Sequence, residues 1–261
     1  ATMSESTLSI SYSDLQVAVG VFVGYNVDPD EWSDIQTAEI DRYIQSGVRQ
    51  FYFPPAIEGI PPGHEWSFLK PTTTIDTADG DGEQDMPDDF ARIVGDLHFE
   101  PDVYCRPVVI VSQGRILSLL EQSDDESRPR YAALRFKASD GSEGQRQEIV
   151  WWPVPDDAYT LTYRYEAYTG KLTSDNPYPL GGMKFSELIT ESCLAVAEQR
   201  ANDERGVHWD QFVRQLAAAI EQDKKNGARF FGDMGDPGSV AVSRSRPERS
   251  SYNVTYKGDT W

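Results

Sequence analysis

The sequence contains few of the residues on which disulfide scaffolds and metal centres depend. It has two cysteines and three histidines in 261 residues. Cys105 and Cys193 stand alone, without a CxxC pair, so a disulfide framework and a zinc ribbon are both disfavoured. We expect two free thiols in a reducing compartment, with Cys193 on the core face of a helix. His64, His98 and His208 lie far apart and form no HExxH motif, which argues against a zinc site.

Long apolar runs and the common phosphate-binding or nucleophile motifs are also missing. No stretch of about 18 apolar residues occurs, so no membrane-spanning helix is predicted. The first residues lack the basic and apolar segments of a secretory signal, and we expect no signal peptide. GxGxxG, GxxxxGKS/T and GxSxG patterns are absent from the sequence. We therefore expect no cofactor, no catalytic residues and no membrane partner.

Basic residues are scarce relative to acidic ones. Lys and Arg number 24 against 43 Asp and Glu, which gives a formal net charge of -19. Such a protein does not wrap nucleic acid over its general surface, although DNA can slide past it without binding. The final segment, 228–261, carries five basic and four acidic residues. It is therefore weakly basic beside a strongly acidic body.

Hydrophobic periodicity separates helical from strand-like parts of the chain. Helices are predicted over 13–24 and 29–48, where apolar residues recur every three or four positions. The same period returns over 183–204 and 207–227. Between these pairs, four prolines within 51–66 stop the helical pattern and mark a boundary. Helices are therefore predicted at both ends of the region 13–227, with a different kind of structure between them.

The middle of the chain alternates in hydrophobicity and is rich in threonine and aromatic residues, as strands are. Strands are predicted over six segments: 65–78, 90–100, 105–111, 130–138, 146–154 and 159–168. The last three are expected to form an antiparallel set, and Pro107 favours an edge position for the third segment. A loop is predicted over 79–89 and a short helix over 114–122.

The order of elements predicts an α+β fold in three parts. Residues 1–62 and 180–227 are expected to form a helical bundle, with 63–179 as an inserted antiparallel β domain. Residues 228–261 are rich in Gly, Ser, Pro and Arg and have no helical period. This segment cannot bury enough apolar surface to offset its ordering entropy. We therefore expect an extended C-terminal arm that is held by another protein, within an assembly.

Four local patterns carry a resemblance to a known family. They are EWSFLKPTTTI (65–75), MPDDF (86–90), WWPVPDDAYTLTYRYEAY (151–168) and the helix that follows from Met183. In this order they resemble the head-to-tail adaptors of tailed double-stranded DNA viruses, also called neck, tail accessory or head completion proteins. The likeness spans most of 13–227, and its motifs are structural rather than catalytic.

The resemblance implies a virion protein at the head–tail junction, made in the host cytoplasm. It implies a homo-oligomeric ring, commonly of twelve copies, bound beneath the portal protein. The helices would form the ring and point toward the channel, and the β domain would face outward or pack on neighbours. A downstream tail or stopper protein would dock on the ring, while DNA would pass through without specific binding.

Two sets of candidate contact residues follow from this resemblance and from the charge pattern. In the arm, arginines would bind acidic patches, alternating side chains would fill pockets beside an added strand, and a tryptophan would act as an anchor. These arm residues are Arg244, Arg246, Arg249, Tyr252, Val254, Tyr256 and Trp261. Acidic residues would line the channel because Lys or Arg there would retain phosphates. The candidates lie on the second predicted helix or near the end of the third: Asp30, Glu31, Asp34, Glu39 and Asp41, or Glu198, Asp203 and Glu204.

Two other functions remain open from the residues alone. Paired carboxylates at 88–89, 124–125 and 156–157 are groups that a virion-associated cell-wall glycosidase would need, although all lie in turn-like segments. The aromatic residues at 151–152 and 163–168 would suit a carbohydrate-binding tail module. On alternating strands, however, such side chains more often fill a core or an interface.

Overall fold

The structure is a computed structural model and is described for residues 5–57, 63–100, 106–123, 125–142, 144–226, 255–256 and 259–260. It combines α-helices with antiparallel and mixed sheets, so the fold is α+β, as predicted. The chain divides into two compact units, Ala1–Asn226 and Gly227–Trp261.

Within the described residues, five α-helices occur: α1 (Tyr12–Val23), α2 (Asp34–Tyr52), α3 (Gln113–Leu120), α4 (Ser186–Asn202) and α5 (Val207–Asn226). The strands are short: β1 (Thr72–Asp76), β2 (Glu83–Asp85), β3 (Phe90–Ile93), β4 (His98–Phe99), β5 (Val109–Ile110), β6 (Tyr131–Phe136), β7 (Gln147–Trp152), β8 (Thr160–Ala167), β9 (Thr255–Tyr256) and β10 (Asp259–Thr260). Each helix lies where the periodicity predicts one, whereas several strands differ from the prediction.

Helix α2 begins and ends later than the sequence pattern predicts. Its N-cap is Ser33, whose hydroxyl accepts from the Gln36 N–H while the Gln36 side chain accepts from the Ser33 N–H. Pro29 starts a separate single turn of 3-10 helix instead of the first turn of α2. At the other end, the buried aromatic residues Phe51 and Tyr52 extend the helix. The predicted helix 29–48 is therefore wrong at both ends, because a capping box overrides the preference of proline for a first turn.

The helices share one apolar core around α4, which contacts α1, α2 and α5. The closest approach is at Gly47 of α2, where an added Cβ would lie 2.5 Å from the Cα of Cys193. Beside it, the Ser192 hydroxyl donates to the Gly47 carbonyl oxygen at 2.7 Å. Cys193 is a buried free thiol on the core side of α4, as predicted, and burial raises its pKa to about 12. Cys105 lies outside the described residues.

The segment after the proline-rich boundary belongs to this helical core. Trp66 is fully buried, and its indole N–H donates to the Phe51 carbonyl oxygen at 3.0 Å. Near the end of α5, the buried carboxylate of Asp223 accepts from the Ser67 N–H at 3.0 Å and the Ser67 hydroxyl at 2.5 Å. His64 Nε2 lies 3.1 Å from the same carboxylate. The strand prediction is therefore wrong for the residues before β1, because their aromatic side chains pack on helices.

The first four-stranded sheet is built around β8. Strand β1 pairs antiparallel along one edge of β8, with Thr74 opposite Thr162. On the other edge, β4 pairs with the first half of β8 and β3 with the second half. Between β3 and β4 lies Gly95, at φ 92°, a left-handed conformation that glycine adopts without strain. The predicted strand 90–100 is thus two strands, β3 and β4, which both pair with β8.

The second sheet has the order β2-β7-β6-β5. Strands β2, β7 and β6 are antiparallel, whereas β5 runs parallel to β6 at the sheet edge, after Pro107. Two expectations are wrong: β2 lies within the predicted loop 79–89, and β8 belongs to the other sheet rather than beside β7. Short strands of charged residues, such as Glu83–Asp85, give no hydrophobic alternation from which to predict them.

Alternation along β7 gives the second sheet two buried faces. Ile149 and Trp151 join a core shared with β8 residues of the first sheet, among them Leu161 and Tyr163. Val150 packs instead with Ile116 of α3 on the opposite face. The middle of the chain therefore forms layers in the order sheet, sheet and helix.

Candidate assembly surfaces

The candidate arm residues fall almost entirely outside the described structure. Arg244, Arg246, Arg249, Tyr252, Val254 and Trp261 lie outside the described residues. Tyr256 lies in β9, which pairs antiparallel with β10, Tyr256 being opposite Asp259. The contact roles of all seven residues stay predictions.

Glu39, a candidate channel residue on α2, is bound within the chain. Its carboxylate accepts from the Tyr25 and Tyr43 hydroxyls, each at 2.6 Å. These hydrogen bonds, that from Tyr25 first, lower the pKa of Glu39, while the hydrogen bond to Glu39 raises the pKa of Tyr43 to about 12. The ionised carboxylate therefore holds the chain preceding α2 against the helix.

Two further candidates on this side also have partners within the chain. Asp41 accepts from the Tyr12 hydroxyl at 3.0 Å and from Gln45 Nε2 at 2.9 Å. Burial, followed by the charge of Asp41, raises the pKa of Tyr12 to about 12. Glu31 accepts from the Asn26 side-chain amide. Both acids thus fix α1 or the loop before α2 in place.

Of the three candidates at the α4–α5 turn, one is bound within the chain and two are exposed. Glu198 accepts from the backbone N–H groups of Gly206 and His208, at 3.1 and 3.2 Å, so it caps the start of α5 from the preceding helix. Asp203 ends α4 in a left-handed conformation, at φ 54°, and is exposed. Glu204 is also exposed. Their carboxylates remain accessible to solvent.

Asp30 and Asp34 lie in an acidic segment with exposed apolar side chains. Residues 26–35, which we call the acidic corner, contain four acidic residues and no basic residue. Within it, Val27 is 63% exposed and Ile35 is 78% exposed. The corner is compact because the Trp32 indole N–H donates to the Asn26 carbonyl oxygen at 2.8 Å.

A second surface at the other end of α2 was not predicted from the sequence. A cleft of about 240 Å³ is lined by nine residues, two of them basic and none acidic: Gln45, Val48, Arg49, Tyr52, Phe53, Tyr168, Thr169, Gly170 and Lys171. We call it the cationic cleft. The rings of Phe53 and Tyr168 meet edge to face at its rim, with centroids 5.9 Å apart. Their exposed fractions are 45% and 55%.

The cationic cleft continues into a larger one. Lys171 also lines a cleft of about 590 Å³ beside α1, which includes Tyr12, Gln16 and Asp41. The two clefts bring together residues about 120 positions apart in the sequence. No local motif marks them, because Arg49 and Lys171 are single basic residues in separate segments of the sequence.

The aromatic pairs proposed for carbohydrate binding are mostly buried. Trp151 is fully buried, Tyr163 is 2% exposed and Tyr165 is 7% exposed, all within the core between the sheets. A sugar cannot stack on these faces without separation of the sheets. The interpretation of these side chains as core residues is confirmed.

The paired carboxylates proposed for glycoside cleavage lie at exposed turns. Asp89 accepts from the Tyr165 hydroxyl at 3.0 Å, and Asp88 pairs with Arg146 at 3.2 Å. Asp156 accepts from the Tyr159 hydroxyl at 2.7 Å. Asp124 lies outside the described residues. Each of these three carboxylates therefore has a partner within the sheet region, and among the described residues no two of the proposed pairs are brought together around a cleft.

The described residues contain neither a metal-binding cluster nor a membrane-spanning helix. Within them, no group of three or more His, Cys, Asp or Glu side chains is placed to hold a metal ion. Among the helices of the same residues, none has both the length and the apolar character needed to cross a bilayer.

Comparison with known proteins gives one family match. A family model described as the SU10 adaptor protein matches residues 10–235. This range contains all five helices and both four-stranded sheets. No curated protein matches the chain.

Proposed function

The chain belongs to the SU10 adaptor protein family of structural phage head-to-tail adaptors, and from this we propose how it acts in the virion. It forms a homo-oligomeric ring, commonly twelve copies in such adaptors, beneath the portal protein. The ring extends the DNA channel and provides the docking surface for a tail or stopper protein. The family implies a virion component with portal and tail partners, and we propose synthesis in the host cytoplasm.

The observation that carries this proposal is the extent of the family match. It covers residues 10–235 of the 261, so it includes the helical region as well as the sheets. The net charge of -19 supports the same role, because an acidic ring would let DNA pass without retaining its phosphates. The resemblance motifs lie in both regions, which fits an adaptor rather than an unrelated chain with one similar domain.

We propose that Asp203 and Glu204 line the channel. Both are exposed on the turn that Glu198 fixes. Glu198 would add negative charge at this turn while bound within the chain, whereas Glu39 and Asp41 are bound to tyrosine hydroxyls beside α2. Asp30 and Asp34 lie in the same segment as the exposed Val27 and Ile35, and exposed aliphatic side chains suit a protein contact better than a water-filled channel.

The test of the proposed function is assembly on a portal. Native mass spectrometry of the purified chain with its portal protein should show a closed complex containing many adaptor copies per portal ring. A chain that stays monomeric, both alone and with the portal, would refute the ring. Addition of duplex DNA at low salt should give no tight, salt-sensitive binding, because the acidic surface repels phosphates.

The arm needs a separate test, since it is proposed as the contact with the portal or neighbouring subunits. Fully extended, its 34 residues could reach on the order of 110 Å. Deletion of 240–261 should leave the urea unfolding midpoint of the body unchanged and abolish attachment to the portal. Normal attachment of the truncated chain would show that the arm residues, Arg244 to Trp261, are not needed.

A further inference from the structure

The cationic cleft is an unusual surface for this chain. Arg49 and Lys171 are both exposed, and neither forms an ion pair with a residue that the structure describes. Elsewhere the described basic side chains often meet carboxylates; Arg135 bonds Glu148 Oε1 at 2.5 Å, for example. Beside the two cations, Phe53 and Tyr168 expose aromatic rings. A partner that fits the cleft therefore carries carboxylates together with an apolar side chain.

The acidic corner has that composition. It holds Asp28, Asp30, Glu31 and Asp34 without any basic residue. Ile35, at 78%, has the largest exposed fraction of the large hydrophobic side chains in the described chain. The corner is a folded segment, since its backbone and Trp32 are hydrogen-bonded internally.

The two surfaces cannot meet within one molecule. They lie at opposite ends of α2, whose 19 residues span about 28 Å at 1.5 Å per residue. Gly47, in the second half of the helix, packs on Cys193 and accepts from Ser192, so α2 is held against α4 and does not bend to bring its ends together. Complementary surfaces at two ends of a rigid element can meet each other only when they belong to two different copies of the chain.

We propose that the acidic corner of one copy docks in the cationic cleft of the next. The inference rests on the proposed ring and names the subunit contact within it. Ile35 seats beside Phe53 and Tyr168, while Asp30 and Asp34 face Arg49 and Lys171. The contact joins two different surfaces, so it is heterologous and repeats head to tail, as closure of a ring requires.

The charge of the chain makes such a contact selective. Each copy carries a net charge of -19, so most pairs of surfaces repel one another. Only a surface rich in cations, such as the cleft, lets an acidic neighbour approach. Salt screens an exposed charge pair, so the contact should weaken as ionic strength rises.

Charge reversal tests the contact in the full chain. Arg49→Glu with Lys171→Glu should raise the subunit dissociation constant on the order of tenfold or more, and so should Asp30→Lys with Asp34→Lys. A mixture of the two reversed chains should assemble again, because each reversed surface then meets a complementary one. The conservative Arg49→Lys should retain assembly, as should Arg115→Glu, an exposed control on α3. Urea unfolding midpoints close to that of the unchanged chain would establish that the variants fold.

Cross-linking separates this contact from the ring itself. Chains with Ile35→Cys and Phe53→Cys, each also carrying Cys105→Ser, are mixed, with and without portal protein, and oxidised. Covalent dimers should form in the mixture and not with either chain alone. A ring mass without cross-links, or with no effect of charge reversal, overturns the contact and leaves the ring standing. A chain that stays monomeric under both conditions overturns both proposals.

Discussion

Among the described residues, buried side-chain polar atoms without a hydrogen-bond partner are more numerous in the sheet region than in the helical region. In the helical region, the side chains of Trp66, Ser192 and Asp223 each form a hydrogen bond that joins two separate segments. In the sheets, the Trp151 indole N–H and the Tyr163 hydroxyl are buried without a partner among the described residues. Gln50 Nε2 on α2 is the exception in the helical region.

The difference reflects what holds each region together. Helices satisfy their own backbone, so their mutual placement depends on side chains, and a buried polar side chain that bonds a neighbouring element fixes that placement. Strands are placed by the backbone ladder, so a side chain without a partner costs about 1–3 kcal/mol but does not alter the register. We therefore expect substitutions at contacts between helices to cost more than comparable substitutions in the sheet region.

Gly47→Ala should give the largest effect. The added Cβ would lie 2.5 Å from the Cys193 Cα, and the backbone of α4 cannot yield cheaply. We expect a loss of about 3 kcal/mol in the free energy of unfolding, measured by urea titration. Gly114→Ala on α3, where a Cβ meets nothing within 4 Å, is the matched control and should stabilise by about 0.5 kcal/mol or slightly more. Similar effects at both glycines would remove the contrast between the regions.

Asp223→Ala should give the second largest loss in the free energy of unfolding. It removes a buried carboxylate that accepts from the Ser67 N–H and hydroxyl, leaving buried donors unpaired, and should cost about 2 kcal/mol. Asp85→Ala in the sheet region breaks an exposed ion pair of 2.6 Å with Lys137 and should cost less than about 1 kcal/mol. Thermal and urea unfolding of both variants would check the order, and an equal loss would contradict it.

Removal of a single hydroxyl group should lower the free energy of unfolding in the helical region but not in the sheet region. Ser192→Ala removes a bond to the Gly47 carbonyl oxygen and should destabilise by about 1 kcal/mol. Tyr163→Phe removes a hydroxyl that has no partner among the described residues, so it should be neutral or stabilise by up to about 1 kcal/mol. A destabilising Tyr163→Phe would mean that the sheet core does use this hydroxyl.

The smallest of the predicted effects concerns how the free energy of unfolding depends on pH. Because the pKa of Glu39 is lowered in the folded chain, its contribution is complete above about pH 4.5 and is lost as pH falls through the folded pKa. Tyr25→Phe should therefore flatten the decline in unfolding free energy between about pH 5 and pH 2. Tyr131→Phe in the sheet region is the control and should leave the slope unchanged. An unaltered slope in Tyr25→Phe would show that this hydroxyl does not set the pKa.

Much of the fold could be predicted from the spacing of apolar residues, and the strands that were missed lack such a pattern. The helices were predictable because apolar residues recur at helical spacing through α2, α4 and α5. Strand β2 was not, because Glu83–Asp85 has no apolar alternation and pairs only through its backbone. Trp66 looked like a strand residue, yet its partner is the carbonyl group of Phe51, on a helix.

The candidate surfaces were less predictable than the fold. The sequence shows which residues are acidic, but not whether their carboxylates are free to contact another molecule. Tyr25 and Gly206 supply hydrogen-bond donors that bind Glu39 and Glu198 within the chain. The cationic cleft was missed because Arg49 and Lys171 come together only when the end of α2 meets the chain after β8. The family resemblance was predictable because its motifs follow one another locally.

The Gly47–Cys193 contact has a consequence for synthesis of the chain. These two residues are far apart in sequence, and both sheets lie between them. At roughly 5–20 residues per second, α2 has left the ribosome on the order of 10 s before α4 exists. The sheets, whose strands are contiguous in the chain, can form during that interval, while the face of α2 that packs on α4 remains uncovered. Contacts of such long range also slow folding. We therefore expect the helical region to complete its core after the sheets have formed, because the contacts of α4 with α1 and α2 have to wait for its synthesis.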